Sequence, residues 1–302
     1  MDLERARSDW QSDGFAILPG YLAPEALAPV LGNLDRVFPS AAGFHGGTDE
    51  RRSRFIGDEF EGIDNFPFAS VELSLLAVSD PIVDLARALL SCDDVRIYSA
   101  EAWAKFTGAA NYDQLLHRDY LNHTLVVPTD DLQFQQVEVF VYLVDVPDDL
   151  GPPHLVSQTL TQGLPAKPNW YPCTNVDDPD SFVSPTGRSD LYESEISGAG
   201  PAGTVIAFQP GTLHRGTGLT AHHGARYSMQ LCFRPAGVEW GQRAAWADRS
   251  HSNEWYEFVA HATPAQLALF GFPPPGHTYW TPETLQGVAH RYPGLDISAW
   301  KP

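Results

Sequence analysis

Residues 135–146 read QQVEVFVYLVDV, a run dominated by β-branched and aromatic side chains. Such residues favour the pleated, half-buried surface of a β-sheet. Similar runs occupy residues 203–208 and 225–233, and Gly and Pro punctuate the segments between them. Short strands separated by turn residues, without regularly alternating helices, predict a sandwich or a closed barrel.

Helical patterns flank this β-rich region on both sides. Residues 15–18 predict a short strand, and the apolar spacing that begins near Pro24 predicts a helix. Residues 81–90 predict a second helix, with Asp80 as its N-cap. After residue 238 the pattern becomes helical again.

The expected fold is therefore mainly β with flanking helices. We expect residues 1–238 to form one domain that contains the strands and the N-terminal helices. Residues 239–302 would form a helical extension packed on that domain.

Charge and composition exclude several classes of function. The chain has 302 residues with 38 acidic and 19 basic side chains, which gives a formal charge of −19. A surface this negative repels nucleic acid and anionic lipid, so we expect neither a nucleic-acid partner nor a membrane partner. The sequence begins with charged residues and contains no apolar run long enough to cross a membrane, which predicts a cytoplasmic protein. Its three cysteines are far apart, so neither a disulfide framework nor a cysteine zinc site is expected.

Three separated residues could bind one metal ion. His117 and Asp119 form a His-x-Asp pair, and on an extended segment both side chains lie on one face. Taken alone this pair is weak evidence, because a chain with 11 histidines contains such pairs by chance. His214, in the glycine-flanked stretch GTLHRGTG between two predicted strands, offers a third ligand. Two imidazoles and one carboxylate leave coordination positions open, which suits non-heme Fe(II) oxygen chemistry.

A candidate anion-binding residue follows on the next strand. Arg226 lies twelve residues beyond His214, near the start of the run at 225–233. A guanidinium can bind a carboxylate in a bidentate manner, as a dicarboxylate cosubstrate requires.

Together with these residues, the stretch DGFAILPGYL at 13–22 resembles the phytanoyl-CoA dioxygenase family of Fe(II)- and 2-oxoglutarate-dependent oxygenases. The similarity covers roughly residues 10–235. It implies a double-stranded β-helix, which is a jelly-roll, cupin-like barrel with helices packed outside.

The resemblance also implies the roles of individual residues. The implied iron ligands are His117, Asp119 and His214. Arg226 would hold the distal carboxylate of 2-oxoglutarate. Thr217 matches a hydroxyl residue that the family often has after the distal histidine, and Lys105 matches a lysine that sometimes helps to bind the cosubstrate.

The implied reaction uses O2 and converts 2-oxoglutarate to succinate while a C–H bond of a small metabolite or natural-product intermediate is oxidised. Because Asp119 retains the carboxylate ligand that halogenases of this superfamily lack, hydroxylation, or a related desaturation or ring closure, is favoured. Coenzyme A is a poor substrate candidate, because its phosphates would be repelled by a chain this acidic. Two alternatives remain: a non-catalytic jelly-roll metal- or ligand-binding protein, and a zinc hydrolase with the same ligands.

Some features could face either the cavity or solvent. His123 and His154 are the histidines for which both interpretations remain open.

The segment 160–202 is rich in Pro, Ser, Asp and Gly, which argues against regular structure. We expect it to be a mobile lid at the rim of the barrel, with Trp170 and Tyr171 as apolar anchors.

Overall fold

A computed structural model describes residues 3–119, 123–129, 131–162, 164 and 185–301. Within these ranges the strands, in chain order, are β1 (Phe15–Leu18), β2 (Asp64–Asn65), β3 (Val95–Phe106), β4 (Val137–Tyr142), β5 (His154–Leu155), β6 (Ile196–Ser197), β7 (Val205–Phe208), β8 (His214–Arg215) and β9 (Ala225–Pro235).

The helices surround these strands. In chain order they are α1 (Leu3–Asp13), α2 (Pro24–Leu31), α3 (Leu34–Val37), α4 (Ala41–His45), α5 (Val71–Ala77), α6 (Asp80–Leu90), α7 (Gln158–Thr161), α8 (Ser189–Glu193), α9 (Trp246–Arg249), α10 (Asn253–His261), α11 (Pro264–Ala268) and α12 (Pro282–Arg291). Short 3-10 helices span Glu50–Phe55, Leu132–Phe134, Asp148–Leu150 and Ile297–Trp300.

The strands form two antiparallel sheets. The larger has the order β1-β7-β4-β9-β3-β2, and the smaller has the order β6-β5-β8. The longest pairing joins β3 to β9, from Val95 opposite Pro235 to Phe106 opposite Ala225. The predicted fold class, mainly β with flanking helices, is confirmed.

Alternation along β4 separates the core from the cavity. Val137, Val139 and Val141 are completely buried in the main hydrophobic cluster, together with Leu85 and Leu89 of α6. Because successive side chains of a strand point to opposite faces, the residues between these valines face the other side of the sheet. That side carries the polar groups described below.

The N-terminal predictions are confirmed in outline and corrected in detail. The strand at 15–18 is β1. The helix that begins at Pro24 ends at Leu31, and Gly32 and Asn33 separate it from the short α3. Helix α6 begins at Asp80 itself, so the N-cap is Ser79.

The C-terminal helices contact the larger sheet and the segment around β2. The aromatic rings of Trp246, Trp255, Phe258 and Phe270 surround Phe66, with centroid distances of 4.9–6.1 Å. Phe66 is fully buried by these contacts. The helical pattern predicted after residue 238 is thus present as α9 to α12.

The described parts of the segment 160–202 are more regular than its composition predicts. Residues 160–162 include the end of α7, and residues 185–202 contain α8 and also β6, which pairs with β5. Leu191 of α8 is buried with Leu116 and Leu213, and this apolar contact orders the chain despite its many turn residues. The proposed anchors Trp170 and Tyr171 lie outside the described residues.

Among the described residues, none of the helices is long and apolar enough to cross a membrane.

Candidate active site

Two histidines from distant parts of the chain meet through their backbones. The His117 amide donates to the His214 carbonyl at 2.9 Å, and the His214 amide donates back to the His117 carbonyl at 3.0 Å. This reciprocal pair is the hydrogen-bonded arrangement of antiparallel strands. The two imidazole centroids consequently lie 4.6 Å apart.

Asp119 completes a cluster of three metal-ligand types. Its two carboxylate oxygens lie 3.4 Å from His117 Nε2 and 3.4 Å from His214 Nε2. One ligand atom from each residue lies within 4.8 Å of the others. All three predicted iron ligands therefore converge on one point.

The far nitrogens of both imidazoles are held by backbone carbonyls. His117 Nδ1 lies 2.8 Å from the Leu115 carbonyl, and His214 Nδ1 lies 3.1 Å from the Thr212 carbonyl. A carbonyl only accepts, so each Nδ1 carries a proton, and Nε2 is the nitrogen of each ring that could bind a metal. This arrangement fixes metal-binding histidines in the required tautomer.

Electrostatics at the cluster favour an ionised carboxylate. Burial alone would raise the pKa of Asp119, but its interactions with His214 and His117 hold that pKa well below its usual range. Burial lowers the pKa of His214, and the neighbouring Asp119 more than offsets this effect, so the pKa is raised. The two imidazoles thus stabilise the negative charge of Asp119. A bound divalent cation would take over this role as the positive charge beside the carboxylate.

A glycine two residues beyond His214 allows close packing beside the cluster. The Gly216 amide donates to Gln114 Oε1 at 2.7 Å. A Cβ at position 216 would lie only 2.9 Å from that oxygen. The glycine-flanked histidine motif is therefore explained by the approach of Gln114, whose own amide donates to Glu59 at 2.6 Å.

Two buried cations lie in the same cavity as the metal cluster. Arg226 on β9 is directly opposite Lys105 on β3, and the two side chains are 3% and 4% exposed. Arg226 Nε and Nη1 are buried without a hydrogen-bond partner among the described residues. Leaving a buried donor unsatisfied is costly, so this end of the cavity is prepared for an anion.

Burial shifts the pKa of both cations downward. Desolvation, followed by repulsion from Arg226, lowers the pKa of Lys105 to about 7. Desolvation also lowers the pKa of Arg226. The Lys105 ammonium lies over the rings of Trp103 and Tyr112, at 5.2 and 4.7 Å from their centroids.

Apolar side chains form most of the remaining cavity wall. Both sheets contribute to it, and the larger apolar residues are Phe60, Trp103, Phe140, Leu155 and Phe208. Such a lining excludes water from the metal cluster.

Three further residues that the sequence analysis named differ in their position relative to the cavity. Thr217 is not among the residues that line the cavity, and its hydroxyl donates to the Pro152 carbonyl at 2.7 Å. His154 lies 3.1 Å from Glu195, outside the cavity. His123 does line the cavity.

Three polar residues that line the cavity, Gln114, Gln230 and Arg243, were not predicted from the sequence. Gln230 lies four residues beyond Arg226 on β9, and an even spacing on a strand places both on one face. The period of two along β9 could therefore have revealed Gln230. Arg243 follows the strand in an irregular segment, where no such pattern exists.

These observations fit the cofactors implied by the sequence. The imidazole and carboxylate donors suit Fe(II) and leave coordination positions open. The unpartnered Arg226 guanidinium suits the distal carboxylate of 2-oxoglutarate.

A jelly-roll arrangement of sheets that carries two histidines and one carboxylate in a cavity is typical of non-heme iron oxygenases. The family model described as phytanoyl-CoA dioxygenase matches residues 10–226. The chain belongs to the phytanoyl-CoA dioxygenase family, as the sequence predicted. This family uses Fe(II) and 2-oxoglutarate. The matched range includes all three members of the cluster and ends at Arg226.

Solved structures of similar fold are known. The non-heme α-ketoglutarate dependent epimerase SnoN from nogalamycin biosynthesis has a TM-score of 0.55 and 18% identity, over 78% of this chain and 83% of its own. The carbocyclase SnoK from the same biosynthesis has a TM-score of 0.55 and 16% identity, over 77% and 84%. HygX from Streptomyces hygroscopicus, with nickel and 2-oxoglutarate bound, has a TM-score of 0.50 and 15% identity, over 77% and 86%.

At these identities the likeness shows a shared fold. No curated protein sequence matches this chain significantly.

Proposed function

We propose that this protein is an Fe(II)- and 2-oxoglutarate-dependent oxygenase that hydroxylates a C–H bond of a small metabolite or natural-product intermediate. The observation that carries the proposal is the presence, in one cavity, of the His117–Asp119–His214 cluster and the unpartnered guanidinium of Arg226. A non-catalytic metal-binding protein would have no use for that buried cation. A zinc hydrolase would need a general base beside the metal, and the sequence has no motif that supplies one.

Each group has a separate task. His117, Asp119 and His214 would hold Fe(II) through the two Nε2 atoms and the carboxylate. Arg226, helped by Lys105, would bind the distal carboxylate of 2-oxoglutarate. When bound, the iron and the cosubstrate would supply the oxidising chemistry by using O2 and releasing succinate.

The apolar wall would position the substrate and keep water out. Phe60 and Trp103 pack edge to face, with centroids 5.9 Å apart, on the side of the cavity that also contains Lys105. A cavity with these walls favours a largely apolar small molecule. The relatives SnoN and SnoK belong to nogalamycin biosynthesis, which supports a natural-product intermediate as the substrate class.

Two classes of reaction are candidates for this site. Asp119 occupies the carboxylate position that halogenases lack, which supports hydroxylation, or a related desaturation or ring closure, over halogenation. The structurally similar SnoN and SnoK are an epimerase and a carbocyclase, so stereochemical inversion and ring closure form the second candidate class.

The test measures succinate production. Purified protein with Fe(II), 2-oxoglutarate and O2 should form succinate slowly, and a true substrate from a panel of natural-product intermediates should accelerate it. Mass spectrometry of the product identifies the reaction: hydroxylation adds one oxygen atom, ring closure removes two hydrogen atoms, and epimerisation leaves the mass unchanged. Succinate formation no faster than in the Asp119→Ala variant would refute the proposal.

A further inference from the structure

A buried glutamine links the metal cluster to a second acidic group. Gln230 Nε2 donates to Asp119 Oδ2 at 3.2 Å and to Glu138 Oε2 at 2.7 Å. A carboxamide nitrogen has two hydrogens, so both bonds can form at once. The glutamine therefore bridges two carboxylates that would otherwise repel each other.

Glu138 lies against a histidine, which in turn contacts an arginine. His123 Nδ1 lies 3.3 Å from Glu138 Oε1, and Arg243 Nη1 contacts His123 Nε2. Arg243 also binds Glu101, with Nη2 at 2.9 Å from Oε1. Glu138 and His123 are 0% and 1% exposed, so water does not compete for these groups.

The arginine fixes the tautomer of His123. A guanidinium only donates, so His123 Nε2 accepts from Arg243 and the ring proton is on Nδ1, which lies 3.3 Å from Glu138 Oε1 and 3.6 Å from Cys232 Sγ. Gln230 thus donates to both Asp119 and Glu138, Arg243 donates to His123, and an ion-pair contact between His123 and Glu138 connects the two parts.

A second metal site is the competing explanation for these residues. His123, Glu138 and Cys232 have ligand atoms within 4.8 Å of one another. His123 Nδ1 lies 3.6 Å from Cys232 Sγ. A metal on Nδ1 would require the ring proton on Nε2, where Arg243 already donates. The arginine contact therefore argues against a metal at this position.

We propose that Gln230 is a positioning residue for the iron ligand Asp119, held in place by the Glu138–His123–Arg243 chain. This inference rests on the proposed function, because it requires that Asp119 bind the metal. It also assigns a task to the C-terminal extension, since Arg243 lies beyond residue 238 and holds the outer end of the chain.

The experiment compares two buried glutamines. Gln230→Leu removes both bridging hydrogen bonds. Gln209→Leu is the matched control, because Gln209 is 7% exposed and its Nε2 donates to the Trp10 carbonyl at 3.0 Å, away from the cavity. The measurements are anaerobic Fe(II) affinity by calorimetry, the absorption spectrum of the Co(II)-loaded protein, and the melting temperature of each metal-free protein.

We expect Gln230→Leu to weaken Fe(II) binding about 10- to 100-fold, as other partners of metal ligands do when they are removed. Its Co(II) spectrum should change, whereas Gln209→Leu should match the wild type in both readouts. Gln230→Met, which keeps the length of the side chain and removes both donors, should weaken binding to a similar degree. This variant provides the same comparison with a more flexible side chain if Gln230→Leu does not fold.

Fe(II) affinity within twofold of wild type in both Gln230 variants would overturn the inference and leave the proposed function intact. A second metal equivalent that disappears in Cys232→Ser would also overturn it, because the tautomer of His123 would then be reversed. Absence of Fe(II) binding by the wild-type protein would instead refute the proposed function itself.

Discussion

His117 and His214 exchange both backbone hydrogen bonds, at 2.9 and 3.0 Å, although they belong to different parts of the chain. The pair continues the smaller sheet, because His214 belongs to β8, which pairs with β5. The separation of the two imidazoles is therefore set mainly by strand pairing, and side-chain rotation contributes little to it. Formation of the metal site is thus coupled to assembly of the smaller sheet.

The first prediction concerns Arg226. Removing the guanidinium leaves the distal carboxylate of 2-oxoglutarate buried beside Lys105 alone, and loss of such a partner costs about 2 to 5 kcal/mol. Arg226→Ala should weaken 2-oxoglutarate binding more than tenfold in calorimetry with the metal present, while Fe(II) binding persists.

Arg234→Ala is the control for this variant, because Arg234 lies on the same strand and donates to the carbonyls of Pro235 and Ala236 outside the cavity. A change of less than threefold in Arg226→Ala would show that the carboxylate is bound elsewhere.

The second prediction is a pH dependence that originates at Lys105. Its pKa of about 7 in the free protein means that the ammonium loses its proton as the pH rises through neutrality. A bound carboxylate favours the protonated amine, so the affinity for 2-oxoglutarate should be constant below about pH 7 and fall by up to about tenfold per pH unit above it.

Lys105→Met should remove this dependence. An equally steep loss of affinity in that variant would assign the effect to another group.

The third prediction concerns an ion-pair network beside the site. Glu195 accepts from Arg215 Nε at 2.6 Å and Nη2 at 3.0 Å, and it lies 3.1 Å from His154. Burial opposes these contacts, but the hydrogen bonds from His154 and Arg215 lower the pKa of Glu195. The stabilisation is therefore present above the unfolded-state pKa and is lost as the pH falls through the folded-state value.

Glu195→Gln should lower the free energy of unfolding by about 2 to 4 kcal/mol at pH 7. In urea titrations the difference from wild type should shrink toward pH 4. Asp190→Asn, in the more exposed pair with Arg188, should leave the free energy of unfolding nearly unchanged. A difference for Glu195→Gln that grows on acidification would contradict the account.

The fourth prediction tests the domain organisation. We propose that residues 239–302 belong to the same cooperative unit as the preceding chain, because Phe66 is buried among rings of the extension. Phe66→Ala should lower the free energy of unfolding by about 3 to 5 kcal/mol. A single calorimetric transition that shifts as a whole is expected, and two transitions of which only one shifts would show separate domains.

Much of the site could be predicted from local sequence. The His-x-Asp pair, the glycine-flanked His214 and Arg226 are each recognisable from residue type and strand alternation. Lys105 was predicted only through the family resemblance, and its position opposite Arg226 follows from the pairing of β3 with β9.

Other features of the site and the fold depend on contacts between residues that are distant in the sequence, which no local sequence pattern indicates. The Gln230–Glu138 bridge joins neighbouring strands β9 and β4, whose pairing is set by the sheet order. Arg243 reaches His123 from an irregular segment. The order in residues 185–202 arises from the burial of Leu191 against Leu116 and Leu213, which composition alone does not reveal.

The most direct test of the central claim is an anaerobic titration of the protein with Fe(II) and 2-oxoglutarate, followed by visible absorption. A 2-oxoglutarate molecule chelated to Fe(II) should produce a weak charge-transfer band that saturates at one iron per chain. His214→Ala and Asp119→Ala should lose the band, because two remaining ligands hold iron poorly. An unchanged band in His214→Ala, or no band in the wild-type protein, would contradict the assignment of this site.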